Sequence, residues 1–364
     1  MINSSHPEVK PTPAGGSPTN PAHSQPVRLE PHYPFAHLPE SGATIEVAPG
    51  IHWVRMPLPF ALDHINLWLL ADGETWTTVD TGYFLDVVKD AWNKLLPCHP
   101  LSRVIVTHFH PDHLGLAAWI QAHNNAPLWM TLGEYATAQL IHQQVAGYSI
   151  DAMLAFFRAH GLDATRCDAL ARRGNAYAKG VPEIPATYRR VFAGDEIAIG
   201  GRTWRVLIGH GHAAEHASLY CAERKALISG DMLLPRITTN ISAFSTNPQG
   251  DPLAEFLHSL QAFKALPADT LVLPSHGRPF IGIHDRVAAL EAHHTERCQK
   301  LEAACITAQS AAELIPVLFD RDIADPHQTM FAMGEAIAHL FHLEHTGRLG
   351  RVVENGITRF KRCR

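Results

Sequence analysis

The segment that most constrains this 364-residue chain is the histidine-rich run Thr107-His108-Phe109-His110-Pro111-Asp112-His113. It directly follows the apolar run 104–106, which is typical of a buried strand, so its side chains lie where a strand ends and the backbone turns. His108 and His110 can then point toward one metal ion, while Asp112 and His113 reach a second. Imidazole nitrogens and carboxylate oxygens suit zinc, iron or manganese, whereas structural zinc sites more often use thiolates. The run therefore predicts a metal site.

Three more residues able to bind a metal occupy the same kind of position further along the chain. Each stands just past a short apolar run, with a glycine nearby that lets the backbone turn. They are His212 after the run 204–208, Asp231 after the run 226–228, and His276 after the run 271–273. The repetition of this arrangement indicates one composite site built from several strand ends.

Most of the 25 histidines need no metal to explain them. His210 and His216, which flank His212, are predicted to form local hydrogen bonds. His64, at the start of a predicted strand, is interpreted as structural. His293 and His294 fall in a helical run and are predicted to lie on its surface.

The motifs resemble those of the metallo-β-lactamase superfamily, whose His-x-His-x-Asp-His signature is matched without substitution over residues 108–113. The resemblance spans roughly residues 40–285. It implies that His108, His110 and His212 hold one metal, that Asp112, His113 and His276 hold the other, and that Asp231 bridges the two. Asp80, in Val79-Asp80-Thr81-Gly82, resembles the first motif of the family. Its implied role is to hydrogen-bond behind the ligands and fix their orientation.

The pattern of short strands in hairpins with helices between them suggests two stacked sheets. Gly200-Gly201 is a typical hairpin signal, and a single helix is predicted over residues 114–123. The family resemblance implies an α+β fold, a four-layer αββα sandwich with helices on both outer faces. We predict a disordered Pro-rich tail over residues 1–30, a metallo-β-lactamase-like domain over 31–285, and a small C-terminal winged-helix-like helical module over 286–364.

The interval between His113 and His212 is longer than a strand, a helix and a hairpin require, so a helical insert is expected at about residues 133–190. Helices inserted beside a metal site can form the pocket for the unreactive part of a substrate. From the insert, Tyr148 and Tyr177 are candidate pocket residues. From the loop that follows Asp231, Arg236 and Asn240 are candidate polar contacts.

The composition is typical of a globular enzyme and does not indicate nucleic-acid binding. The formal net charge is -5, which provides no field to attract a polyanion, and 46% of the residues are hydrophobic. The six cysteines lack metal-binding or disulfide-framework spacing, which favours a reducing cytoplasm. Neither a secretory signal nor a transmembrane segment is predicted.

The extreme C-terminus is basic, but aromatic residues are not interleaved as a nucleic-acid stacking platform requires. We expect this module to pack against the core or against a second subunit in a homodimer, without binding nucleic acid. The basic residues are Arg348, Arg351, Arg359, Lys361, Arg362 and Arg364.

Two divalent ions held close together, most simply zinc with iron or manganese as alternatives, stabilise a bridging hydroxide at neutral pH. We therefore expect a dinuclear metal-dependent hydrolase of a small-molecule ester, thioester or lactone, resembling the glyoxalase II and lactonase branches. Asp231 would act through both metals, and Asp112 would accept and transfer a proton. The alternatives are a phosphodiesterase or ribonuclease of the same fold, an iron-dependent sulfur dioxygenase, and a non-enzymatic nucleic-acid-binding protein.

Overall fold

Short strands between residues 44 and 190, most of them rich in apolar residues, build a seven-stranded sheet. The computed structural model describes residues 31–363, so the predicted tail over 1–30 and Arg364 lie outside the described residues. The first four strands pair antiparallel in chain order, and β4 to β7 pair parallel. The strands are β1 (Thr44–Ala48), β2 (Ile51–Pro57), β3 (His64–Asp72), β4 (Thr75–Val79), β5 (Leu101–Ile105), β6 (Leu128–Met130) and β7 (Tyr188–Arg190).

A second sheet of five strands follows in the order β12-β11-β10-β9-β8. Its strands are β8 (Glu196–Ile199), β9 (Arg202–Gly209), β10 (His216–Cys221), β11 (Ala226–Gly230) and β12 (Leu271–Pro274). The turn between β8 and β9 is made by Gly200 and Gly201, both with positive φ (59° and 70°), which matches the twist of a two-residue hairpin. The predicted hairpin is therefore confirmed.

Eleven α-helices are assigned among the described residues, with a short 3-10 turn at Ala146–Tyr148. Those of the first part of the chain, including the insert, are α1 (Asp86–Leu95), α2 (Pro111–Leu114), α3 (Ala117–Asn124), α4 (Leu132–His142), α5 (Ile150–Ala159), α6 (Ala164–Ala171) and α7 (Ala176–Gly180). Those of the later part are α8 (Pro252–Lys264), α9 (Ile283–Ala304), α10 (Ala311–Phe319) and α11 (Pro326–His345). The hairpin β13 (Leu349–Glu354) and β14 (Ile357–Arg362) completes the chain.

Three apolar clusters show how these elements are layered. Between the two sheets, Trp53 and Trp68 of the first sheet pack with Trp204 and Leu219 of the second. The other face of the first sheet is covered by α1 and α3, and the other face of the second sheet by α8 to α11. The predicted four-layer αββα arrangement, with a C-terminal segment of helices and a hairpin, is confirmed.

The predicted single helix over residues 114–123 is wrong, because α2 ends at Leu114 and α3 begins at Ala117. The Leu116 N–H donates to the Thr81 hydroxyl at 3.1 Å, so it is withdrawn from the helical ladder. Gly115 occupies the break, where a Cβ would lie 2.6 Å from the Gly180 carbonyl oxygen and 2.7 Å from that of Gly82. The close approach of three backbone segments therefore sets the helix boundary.

The predicted surface position of His294 is also wrong. Its side chain is buried, with its ring 5.7 Å from that of Phe256 and its Nδ1 3.1 Å from His339 Nε2. The helices α8, α9 and α11 pack together here, so His294 lies on the stripe of α9 that faces the core, whereas Thr295 and Glu296 lie on its exposed side. Burial and the neighbouring His339 lower the pKa of His294 to about 2, which keeps the ring neutral.

The six cysteines are free thiols. Among residues 31–363, every helix is too short or too polar to cross a lipid bilayer.

We predict that Trp204→Ala lowers the free energy of unfolding by about 3–5 kcal/mol, because it removes a buried indole and leaves a cavity between the sheets. Urea denaturation followed by circular dichroism measures the change. Val353→Ala, at a residue 68% exposed on β13, is the control and should change the value by about 0.5 kcal/mol or less. Equal losses in the two variants would contradict the packing of the two sheets.

Candidate dinuclear metal centre

The predicted ligands meet at one end of the sandwich because each stands just after a strand. His108 and His110 follow β5, and the short helix α2 then presents Asp112 and His113. In the second sheet His212 follows β9, Asp231 follows β11 and His276 follows β12. The strands β11 and β12 run parallel, so Asp231 and His276 emerge at the same edge. The structure thus brings all seven predicted residues together in two clusters.

The first cluster contains His108, His110, His212 and Asp231. Nε2 of His108 lies 2.8 Å from Nδ1 of His110 and 3.2 Å from Nε2 of His212. Nε2 of His212 lies 3.4 Å from Oδ2 of Asp231. Three imidazole nitrogens and one carboxylate oxygen therefore point at a common centre.

The second cluster contains Asp112, His113 and His276. Nε2 of His276 lies 3.4 Å from Oδ2 of Asp112, and Nε2 of His113 lies 3.6 Å from the same oxygen. Oδ1 of Asp231 lies 3.4 Å from His276 Nε2 and 3.6 Å from His113 Nε2. The two oxygens of the Asp231 carboxylate therefore face different clusters.

Both clusters fit divalent metal ions. Nε2 of His113 and Oδ1 of Asp231 are buried without a hydrogen-bond partner, an arrangement that costs free energy unless a cation completes it. A tetrahedral site with bonds of about 2.0–2.1 Å has edges of about 3.3–3.4 Å between ligand atoms. Most of the separations above are close to that length. The set of five imidazoles and two carboxylates is also one that zinc, iron and manganese accept.

Burial and neighbouring charges shift the pKa values of the ligand imidazoles in opposite directions. Burial, reinforced by neighbouring imidazoles, lowers the pKa of His108 and of His110 well below the ordinary value, so both offer lone pairs at neutral pH. Burial alone would lower the pKa of His113, but the carboxylates of Asp80, Asp112 and Asp231 raise it to about 10. In the metal-free protein both ring nitrogens of His113 therefore carry a proton, and binding of a cation releases the proton on Nε2.

Outer hydrogen bonds fix which nitrogen of His113, His212 and His276 faces the centre. Nδ1 of His113 lies 2.8 Å from a carboxylate oxygen of Asp80. Nδ1 of His212 lies 2.7 Å from the Asn240 carbonyl oxygen, and Nδ1 of His276 lies 2.8 Å from the His64 carbonyl oxygen. These oxygens only accept, so each Nδ1 carries the hydrogen and each Nε2 is left as the ligand atom.

Asp80 lies where the sequence resemblance implies, directly behind the ligands. Besides contacting His113, its carboxylate accepts from the Thr107 N–H at 2.8 Å and from the Thr107 hydroxyl at 3.0 Å. Its backbone has φ 64°, a left-handed conformation that is uncommon outside glycine. The strained backbone aims this carboxylate at two partners on the ligand-bearing turn.

Several residues that support the site carry no sequence signal of that role. The buried carboxylate of Glu134 accepts from the Phe109 N–H at 2.9 Å and from the Glu215 N–H at 2.6 Å, joining the turns that hold His110 and His212. The Asn66 amide donates to the Pro274 and Gly277 carbonyl oxygens, both at 2.9 Å, and so fixes the turn around His276. These partners are far apart along the chain, so only the fold reveals them.

The other histidines near the site have structural contacts. Nε2 of His216 accepts from the Asp231 N–H at 3.1 Å, a contact between residues 15 positions apart rather than the local hydrogen bond predicted. Nδ1 of His210 lies 2.7 Å from the Ala214 carbonyl oxygen, which is a local contact of the kind predicted. Nε2 of His64 accepts from the Gly277 N–H at 2.9 Å, while its own carbonyl holds His276. The interpretation of His64 as structural therefore agrees with its contacts, although these contacts reach a ligand.

The four candidate pocket residues occupy different environments. Tyr148 lines a cavity of about 210 Å³ beside the ligand turns. The hydroxyl of Tyr177 donates to the Phe109 carbonyl oxygen at 2.7 Å, so it holds the turn between His108 and His110. The side-chain amide of Asn240 forms hydrogen bonds with Glu335 and Ser242. Arg236 is exposed, with its guanidinium 5.9 Å from the Tyr33 ring centre.

A two-sheet sandwich whose strand ends assemble an intact pair of His/Asp clusters defines a metallo-hydrolase. The family model of the metallo-beta-lactamase superfamily matches residues 61–276, and that of the metallo-beta-lactamase-like C-terminal domain matches residues 298–363. The chain belongs to the metallo-beta-lactamase superfamily.

Individual proteins show the same relationship. A beta-lactamase domain protein from Burkholderia ambifaria has a crystal structure that superimposes with a TM-score of 0.85 at 45% identity, covering 92% of this chain and 98% of that one. The probable metallo-hydrolase YqjP of Bacillus subtilis is 24% identical over 328 residues, which are 85% of this chain and 96% of that protein. A hydroxyacylglutathione hydrolase of Haemophilus ducreyi is 24% identical over 255 residues, 70% of this chain and 83% of that protein.

We predict that Asp80→Asn weakens metal binding by about 10–100-fold, because an amide replaces one accepting oxygen behind His113 with a donor. Asparagine tolerates the left-handed backbone at this position, so the local fold should persist. Competition between the metal-free protein and a chromogenic zinc chelator measures the affinity. Asp86→Asn, at a carboxylate 95% exposed on α1, is the control with no expected change. Unchanged zinc affinity in Asp80→Asn would contradict this role.

Proposed function

We propose that this protein is a dinuclear metal-dependent hydrolase that cleaves an ester, thioester or lactone bond in a small molecule. The observation that carries the proposal is the Asp231 carboxylate, whose two oxygens face separate groups of imidazoles. This arrangement suits two adjacent cations. Zinc is the metal we propose, since histidine and carboxylate ligands are typical of catalytic zinc.

Two divalent ions, when bound, lower the pKa of a water molecule toward about 7 and polarise the bond to be attacked. In the overall reaction a bond forms between the water oxygen and the acyl carbon, and the acyl bond to oxygen or sulfur breaks. One proton of the water goes to the leaving oxygen or sulfur, and the other is lost to solvent as the acid product ionises to a carboxylate. The reaction therefore needs a residue that can take a proton and pass it on.

Asp112 is placed for this proton transfer. Its Oδ2 lies 3.4 Å from His276 Nε2, and its side chain is 18% exposed, more than the ligand imidazoles around it. A partly exposed carboxylate can accept a proton at one oxygen and release it toward a leaving group at the mouth of the site. We assign it this role in addition to metal binding.

The cavity beside the ligand turns suits an apolar substituent. It is bordered by Phe109 and Ala213, which adjoin metal ligands, by Tyr148 from the insert, and by Ala243 and Phe244 from the loop before α8. Its lining in the described chain contains neither lysine nor arginine. A volume of about 210 Å³ can hold a short hydrocarbon or aromatic group.

The ion pairs near the C-terminus also favour a carboxylic ester or thioester over a polyanionic phosphodiester as the substrate. Four arginines near the C-terminus are paired with glutamates: Arg348 and Arg362 with Glu302, Arg351 with Glu344, and Arg359 with Glu313. They leave little free positive charge for a nucleic-acid backbone. The similarity to a hydroxyacylglutathione hydrolase supports the thioester class, because an acylglutathione is a thioester.

Substrate panels test the proposed reaction class. Metal-free protein reloaded with zinc, iron or manganese should hydrolyse acyl thioesters, aryl esters or lactones, with chelation abolishing turnover. Parallel assays use bis(p-nitrophenyl) phosphate, single-stranded RNA, a β-lactam, and oxygen uptake with glutathione persulfide. Faster cleavage of a phosphodiester than of any carboxylic ester, or oxygen uptake with the persulfide, would replace the proposed reaction with one of its alternatives.

We predict that Asp112→Asn lowers kcat/KM for the best ester or thioester by about 100-fold or more at saturating zinc, because an amide cannot take the proton. Metal content measured on the same samples separates this loss from loss of zinc. Asp151→Asn, at an exposed carboxylate on α5, is the control and should keep the parent activity. A fully metal-loaded Asp112→Asn protein with parent activity would exclude Asp112 as the proton carrier.

We also predict that Tyr148→Ala shifts the acyl-length preference toward longer chains. Removing the phenol enlarges the cavity, and a hydrophobic pocket discriminates by about 10-fold or more per methylene group. The ratio of kcat/KM for an octanoyl and an acetyl ester of one alcohol measures the shift. Tyr135→Ala on α4, whose ring stacks on Tyr188 away from the cavity, is the matched control. An identical ratio in Tyr148→Ala and the parent protein would place the acyl group elsewhere.

A further inference from the structure

We propose that Glu335, on the C-terminal helix α11, is a positioning residue for the metal ligand His212. The inference concerns the loop that joins β11 to α8, residues 231–251, which we name the β11–α8 loop. This loop begins at Asp231 and passes Asn240, whose backbone carbonyl oxygen accepts from His212. Because the effect is exerted on metal binding, it is independent of which bond the enzyme hydrolyses.

The first link is between His212 and the backbone of the loop. The Asn240 carbonyl oxygen lies 2.7 Å from Nδ1 of His212, while Nε2 of the same ring faces His108 and Asp231. A displacement of this carbonyl would let the ring rotate or change tautomer, and either would redirect Nε2. The position of the Asn240 backbone therefore sets the geometry of the first cluster.

The second link fixes Asn240 through both ends of its side chain. Its Nδ2 donates to an oxygen of Glu335 at 3.1 Å, and its Oδ1 accepts from the Ser242 hydroxyl at 2.7 Å. The other oxygen of Glu335 pairs with the Arg297 guanidinium on α9. Glu335 is 5% exposed, so this network is shielded from water.

The same two helices hold the rest of the loop. Arg286, on α9, donates to the Leu234 carbonyl oxygen at 2.6 Å and to that of Ile237 at 2.7 Å. On α11, the Gly334 carbonyl oxygen accepts from the Ala243 N–H at 3.0 Å. The irregular backbone between Asp231 and the apolar cavity thus obtains several of its hydrogen bonds from the C-terminal segment.

The position of Gly334 shows how closely helix and loop approach. A Cβ at Gly334 would lie 2.6 Å from the Ser242 hydroxyl, so only glycine lets α11 approach this side chain so closely. The approach brings the neighbouring Glu335 within reach of Asn240. A buried carboxylate–guanidinium pair is often no more stabilising than apolar side chains of the same size. We infer that Glu335 and Arg297 act mainly by orienting the loop.

Two double variants that both remove the buried charge pair test the proposal. Arg297→Met with Glu335→Gln keeps a hydrogen-bond acceptor for Asn240, whereas Arg297→Met with Glu335→Leu removes it. Metal-free full-length protein is titrated with zinc against a chelator, and cobalt is used to follow the visible absorption of the first cluster. We expect the leucine variant to bind one zinc about 10–100-fold more weakly with an altered cobalt spectrum, and the glutamine variant to remain within about 3-fold of the parent.

The outcomes distinguish positioning from a purely structural role. Parent zinc affinity in the leucine variant, or equal weakening in both variants, would overturn the proposal. If the leucine variant does not fold, Asn240→Ala decides the question, since it removes the side chain through which Glu335 holds the loop. Weaker binding of one zinc in Asn240→Ala would support the proposal and unchanged affinity would overturn it. None of these measurements uses a substrate, so they stand apart from the test of the proposed function.

Discussion

The structure of the site depends on the burial of the Asp231 carboxylate among imidazoles at the junction of the two sheets. The attraction of His276 and His113 outweighs burial and holds the pKa of this carboxyl well below its usual range. Even so, one of its oxygens and Nε2 of His113 have no hydrogen-bond partner. Such atoms cost free energy in a protein interior, and a pair of cations offsets that cost.

Rigidity around these ligands comes from residues spread over most of the chain. Asp80 orients His113 from the end of β4, His64 holds His276 from the start of β3, and Asn240 holds His212. Glu134 ties two of the ligand-bearing turns together from α4. The sandwich thus acts as a frame, because its sheets fix the distances between strand ends while hydrogen bonds set the rotation of each imidazole.

The C-terminal helices cover one face of the sandwich and also contact the β11–α8 loop, which begins at the ligand Asp231. Helices α9 and α11 complete the core against the second sheet, and the same helices donate and accept hydrogen bonds along the β11–α8 loop. Four arginines of this segment pair with its own glutamates, which offsets part of the charge of its basic sequence.

The ligand set and the places along the chain of the strands that carry it could be inferred from residue type and spacing, because each ligand directly follows a strand. The His-x-His-x-Asp-His run, the later His212, Asp231 and His276, and the Gly200-Gly201 turn are local patterns of this kind. The helix break at Gly115, the burial of His294 and the link from Glu335 to His212 were decided by tertiary packing. These features join segments distant in the chain, and a hydrogen bond between such segments leaves no periodic or spacing signal in the sequence.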